Sequence, residues 1–321
     1  MSSAPPSAPV QSAGTTLTAL GSSRSITFQF IAMGLVWGAS FLFMKVALTG
    51  VSFGQVAWTR ILLGAITLGV IALVTRAKLP RNPKIWLHFT VIALTYCVIP
   101  YSLFAWSEQY ISSSLASILN AVTPIMTALA ATLLFRVEKL SAGQVLGVAV
   151  GILGVIVIVA PWQAGTFSGE WQGQVACIAA VASYGFSLGY FKKFLAPYHV
   201  PSITAAFTYI AIAGVIMLLL TPVMAWHPVD LDIWVVLSLV GLGAFGTGIV
   251  YIWNMNVLAA WGPTATSSVT YITPVVGVIL GVLLLSESLG WNEPLGAVIV
   301  FLGILLTQKR LRLSRRAVPS S

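Results

Sequence analysis

Long apolar runs alternate with short polar joints along this chain. Ten runs lie at roughly 27–48, 55–75, 85–105, 113–135, 141–161, 171–191, 201–222, 233–253, 263–285 and 291–308. Each comes close to the about 20 residues that a helix needs to cross a hydrocarbon core. They are too long and too uniformly apolar for the strands of a membrane barrel, which alternate in polarity. The pattern predicts an all-α membrane protein with ten transmembrane helices.

One run carries more polar positions than a plain span. Ser113–Glu138 holds Ser117, Asn120, Thr123 and Pro124, and a near copy returns at Thr264–Glu287. A shift of 150 pairs Ser117 with Ser267, Thr123 with Thr273, Pro124 with Pro274 and Tyr101 with Tyr251. A shift of 147 pairs Trp37 with Tyr184, Gly38 with Gly185 and Ser40 with Ser187, and one of 149 pairs Glu138 with Glu287, Gly147 with Gly296 and Gly154 with Gly303. Nearly constant shifts describe a duplicated five-helix unit. An odd helix count inverts the second copy, so the prediction is two inverted five-helix repeats, at 26–161 and 171–309. Proline-interrupted helices at matching places of two halves point to a transport site between them.

Composition supports the membrane reading. Of 321 residues, 58% are hydrophobic and 7% charged, against about 25% charged in soluble domains. The net charge of +9 is a topology signal before it is a binding signal. If both termini are cytoplasmic, 14 of the 16 basic residues fall on the inner side, all but Lys45 and Arg60. That bias sets the orientation. Six of the seven acids fall on the outer side, with Glu138 the exception. Nucleic acid is therefore not an expected partner; the expected partners are the bilayer and a small-molecule substrate. Residues 1–25, rich in Ser, Ala, Pro and Thr, read as a disordered cytoplasmic tail, and 310–321 as a basic cytoplasmic tail. Cys97 and Cys177 lie inside apolar runs and are expected as buried thiols.

The order of these motifs resembles the drug/metabolite transporter superfamily, specifically EamA-type permeases with two EamA repeats. The likeness rests on Trp37-Gly38, on Thr-Pro in helices 4 and 9, and on a glutamate followed by a glycine-spaced helix. That last motif reads Glu138…Gly147…Gly151…Gly154 and Glu287…Gly296…Gly303. The resemblance implies ten helices, cytoplasmic termini and export or exchange of small metabolites, without naming the substrate.

Trp37, Tyr101, Asn120, Thr123, Pro124, Tyr184, Tyr251, Thr270, Tyr271 and Pro274 are the candidate cavity residues. Each has a structural reading beside it: aromatics as packing or interfacial belt, Asn120 as interhelical glue, the prolines as plain kinks. Arg60 lies a turn or two into helix 2. Either it binds a substrate carboxylate or acts as a gate, as intramembrane charges commonly do, or it snorkels to the interface. Glu138 and Glu287 read as structural. Gly143, Gly147 and Gly151 on helix 5, and Gly277 and Gly281 on helix 9, permit close helix contact and a possible homodimer.

No P-loop, HExxH motif, metal cluster or nucleophile–base spacing is present, so the expectation is neither an enzyme nor a cofactor protein. The expected function is a secondary transporter of the cell inner membrane, exporting a small metabolite such as an amino acid or derivative by alternating access. An importer or exchanger of another metabolite or drug-like compound is the alternative, and a non-transporting scaffold or sensor is the reading from a different class.

Overall fold

The computed structural model describes residues 23–162, 170–266 and 269–308. The basic tail 310–321, Ser267 and all but the last residues of the N-terminal tail lie outside the described residues. Every regular element among those described is helical. The first half comprises α1 (Ser23–Ala47), α2 (Phe53–Val74), α3 (Pro83–Ser107), α4 (Ser113–Leu134) and α5 (Ala142–Val159). The second begins with α6 (Glu170–Tyr198) and α7 (Ser202–Leu219). Next, α8 starts as Ile233–Val240, widens over Gly241–Ile249 and finishes as Val250–Thr266. It is followed by α9 (Val269–Leu285) and α10 (Asn292–Thr307). Among the described residues, seven helices are long and apolar enough to cross a membrane, and α7, α9 and α10 are shorter apolar helices.

Local sequence sets the helix starts. Ser52 and Gln55 form a reciprocal capping box on α2, Asn82 caps α3 ahead of Pro83, and Asp232 caps α8. Each supplies a side-chain acceptor to first-turn amides that have no intrahelical partner.

Two helices carry matching wide turns. Residues Ala93–Val98 of α3 and Gly241–Ile249 of α8 are π-helical. A shift of 150 carries the first stretch onto 243–248, so the wide turn is duplicated with the sequence. Pro100 and Tyr101 follow the first stretch. Pro100 has no amide hydrogen for the Tyr96 carbonyl, and a wider turn absorbs that lost bond.

The two Thr-Pro helices behave differently, which corrects the expectation that proline breaks both. α4 is interrupted: Ser113–Asn120 ends, a turn follows at Ala121-Val122, and the helix resumes at Thr123. α9 runs through Pro274 without a break. At the α4 break the Asn120 carbonyl loses its i+4 donor to Pro124, and the Thr123 hydroxyl donates to it instead at 2.7 Å. In α9 the Thr273 hydroxyl donates to Val269 O at 3.2 Å, on the preceding register.

The glycine-spaced helices α5 and α10 pack backbone to backbone. A Cβ on Gly147 would lie 2.7 Å from Gly303 O, and one on Gly154 would lie 2.7 Å from Val300 N. One on Gly296 would lie 2.8 Å from Gly154 O. These glycines are filled within the chain, whereas a Cβ on Gly143 would meet nothing within 4 Å.

Candidate functional site

Apart from α5, α7 and α10, every helix contributes to a central cavity of about 150 Å³, the size that holds benzene in an engineered apolar core. From α1 come Trp37, Ser40, Phe41 and Met44; from α2, Arg60; from α3, Tyr96, Tyr101 and Phe104. The α4 break supplies Asn120, Ala121 and Thr123, α6 supplies Tyr184, α8 Tyr251, and α9 Thr270 and Thr273. The structure thus brings together Trp37, Arg60, Tyr101, Asn120, Thr123, Tyr184, Tyr251 and Thr270 from the sequence candidates. Pro124, Tyr271 and Pro274 are not in this lining. Tyr271 hydrogen-bonds Gln308 and packs on Phe301 at 5.0 Å between ring centres.

The wide turns supply groups that hold wall residues in place. Trp37 Nε1 donates to Gly246 O at 3.1 Å, inside the α8 wide turn. Thr247 donates to Leu242 O at 3.1 Å, five residues back, and accepts from Arg60 Nε at 3.2 Å. On α3, Thr95 O is taken by the Ser183 hydroxyl at 2.6 Å. Small residues bring α2 and α8 close enough for this: a Cβ on Gly243 would lie 2.4 Å from Leu63 Cβ, and one on Gly64 2.5 Å from Thr247 Cγ2.

Arg60 does not snorkel. Its side chain is buried, 7% exposed. The guanidinium carbon sits 4.1 Å from the centre of the Tyr101 ring, a cation–π contact. No acid lies among the lining residues. Around the cavity, aromatic rings touch in sequence: Trp37 on Tyr251 at 6.4 Å, Tyr251 on Tyr209 at 6.2 Å, Tyr209 on Tyr96 at 6.0 Å, and Tyr96 on Tyr184 at 5.2 Å. Phe104 then bridges Tyr184 and Phe41 at 5.8 and 5.7 Å. A second, more apolar cavity of about 380 Å³ lies between α3, α6 and α7; Tyr209 lines it, and of the central cavity's residues Tyr96 does. Tyr96 therefore stands between the two spaces.

Sequence reasoning missed Phe41, Met44, Tyr96, Phe104 and Ala121. Tyr96 corresponds by the 150 shift to Gly246, so the repeat gave it no signal. Ser40 and Thr273 were visible as repeat positions but not as lining.

Two glutamates outside the spans sit at the Ser113 end of α4. Glu287, just past α9, accepts from Ser113 N and Oγ at 2.7 and 2.9 Å and from Ser114 N and Oγ at 2.9 and 2.6 Å. A carboxylate of one repeat therefore caps the helix N-terminus of the other. Burial pushes this carboxyl up, but the four hydrogen bonds outweigh it and hold it below its usual range. Glu108, just past α3, is fully buried, and neither carboxyl oxygen has a hydrogen-bond partner. Burial lifts it well above the usual carboxylate range, against the opposing charge of Lys45. Lys45 itself caps α3 through the Glu108 and Ile111 carbonyls. At the opposite end of α4, Glu138 pairs with Lys192 on an exposed surface. Cys97 and Cys177 are free and buried. Among the described residues no group of three or more His, Cys, Asp or Glu lies together for a metal.

This two-copy bundle around a central cavity has known counterparts. The EamA-like transporter family matches residues 24–160 and 171–308. The chain belongs to that family. Each match spans one of the two repeats. Across 293 residues the chain is 26% identical to a probable amino-acid metabolite efflux pump of Escherichia coli strain K12, covering 87% of this chain and 93% of that protein. It is also 30% identical to Protein PagO of Salmonella typhimurium strain LT2, over 53% of this chain and 55% of PagO. A crystal structure 18% identical in sequence superposes with a TM-score of 0.60, covering 89% of this chain and 96% of the other, and so shares the fold. Family membership and the apolar helices make this a multi-pass membrane protein.

Proposed function

We propose that this EamA-family chain is a secondary transporter that exports a small metabolite, such as an amino acid or derivative, by alternating access. All ten helices cross the inner membrane as two inverted five-helix repeats with both termini in the cytoplasm, and the central cavity holds the substrate. The observation carrying this is that residues of both copies, Trp37 with Tyr184 and Tyr101 with Tyr251, converge on one cavity. A scaffold or sensor would have no use for such a space and would pack it solid. The Glu287 cap on Ser113–Ser114 supports a conformation closed at the outer face, and the α4 break supplies the point about which that half can bend. Similarity to an amino-acid metabolite efflux pump supports export over import.

Proteoliposome counterflow with a broad panel of small solutes tests the reading. At least one solute should exchange, and Trp37→Ala, which removes the indole and its bond to Gly246, should slow it by about tenfold or more. A panel in which wild type moves nothing would sink the transport function.

A further inference from the structure

Arg60 is the one charged group among the cavity-lining residues; the buried carboxyl of Glu108 feels its charge but neither lines the cavity nor hydrogen-bonds Arg60. Arg60 is 7% exposed, and the residues that line the cavity with it include no acid. Its hydrogen bonding within the protein ends at Thr247, reached by Nε at 3.2 Å. Among the described residues neither terminal nitrogen has a hydrogen-bond acceptor. Tyr101 covers one face of the guanidinium, with the ring centre 4.1 Å from the central carbon. Thr247 and Tyr101 therefore fix the plane of the group while leaving its two-pronged end unoccupied. A buried cation without an ion-pair partner is costly, and a planar fork with free donors matches a carboxylate in bidentate geometry. An aromatic wall of Trp37, Phe41, Phe104 and Tyr184 lies in the same cavity.

We infer that the cavity selects a net-negative organic acid: a carboxylate seated on the Arg60 fork with an apolar or aryl remainder against the aromatic wall. This rests on the transport reading above and narrows it. With no acid in the lining, the ammonium of a free amino acid finds no counter-charge, so a 2-oxo acid or an N-acylated amino acid fits better than the zwitterion. For the same reason organic cations are excluded.

The test separates binding from transport. Purified wild type is titrated in detergent with phenylacetate, its neutral amide phenylacetamide and the cation phenethylamine, and with N-acetylphenylalanine against phenylalanine. Thermal stabilisation is the readout, and counterflow of the same solutes is run in parallel. Wild type should bind each net anion about tenfold or more tightly than its uncharged or zwitterionic counterpart. In Arg60→Met the preference should collapse towards unity, while Arg60→Lys should keep part of it. Equal binding of acid and amide, tighter binding of the amine, or no binding of any probe by wild type would overturn the inference. So would a preference that survives in Arg60→Met. If that variant does not fold, the wild-type acid-to-amide ratio decides alone. Anion-selective binding without counterflow would leave the receptor standing and bring down the transport reading. Counterflow that favours phenylalanine over N-acetylphenylalanine would do the reverse.

Discussion

At the scale of single residues, the two carboxyls beside the Ser113 end of α4 show how surroundings decide a charge. Glu287 receives four donors from Ser113 and Ser114, which stabilise its ionised form. Its lowered pKa means that the native state holds the proton less tightly than the unfolded chain. Its stabilisation is therefore present above the ordinary carboxylate range and lost as pH falls through the depressed native value. Glu287→Ala should lower stability by about 1 kcal/mol, the scale of a lost helix cap, seen as a lower thermal midpoint in detergent at neutral pH. The deficit should shrink on acidification. Glu108 has the opposite sign. Its raised pKa means that the native state holds the proton more tightly, so stability drains away as pH rises from the ordinary carboxylate range towards the native value. Glu108→Gln keeps the shape and removes the ionisation. Its thermal midpoint should match wild type in acid and exceed it at higher pH; identical pH profiles would show that the carboxyl is not buried as described.

At the scale of helices, the proline pair and the glycine faces carry separate consequences. Pro124 withdraws one donor from Asn120, and the Thr123 hydroxyl replaces it. Thr123→Val is nearly isosteric but leaves that carbonyl unmet, so it should cost about 1 kcal/mol, measured by thermal unfolding. An unchanged midpoint would mean that another donor serves the break. The glycines divide by what their missing side chains would touch. Gly154→Ala would push a methyl to 2.7 Å from the Val300 backbone nitrogen, whereas the space beside Gly143 is open within 4 Å. Gly154→Ala should therefore destabilise by about 1–3 kcal/mol, and Gly143→Ala should be neutral or slightly stabilising. The same unfolding assay compares them, and equal effects would contradict the close α5–α10 contact.

At the scale of the whole molecule, the duplication organises the site. Helices at equivalent places in the two copies meet around one space, so repeat-related side chains from distant sequence become neighbours. The symmetry is incomplete where it matters for chemistry. The α4 break has no equivalent in α9, and Arg60 corresponds by the repeat shift to the neighbourhood of Phe207, so a single cation marks one side of the cavity. A charge present in only one copy gives the wall a polarity that a strictly symmetric pair would cancel.

Helical class, repeats and family were legible in the sequence because each is written in one-dimensional order: apolar run length, constant shifts, and Thr-Pro and Glu-then-glycine spacings. Most aromatic candidates were legible as well, because the repeat singled out Trp37, Tyr101, Tyr184 and Tyr251 among 35 aromatic residues. Three things were decided only by the tertiary structure. One is the burial of Arg60: a charge near a helix end can reach water or turn inward, and the close α2–α8 contact with Thr247 at hand turns it inward. Another is the continuity of α9 through Pro274, where the motif is the same as in α4 but the local packing differs. The last is the pair of opposite carboxyls, because burial and donor count belong to neighbours that lie far away along the chain.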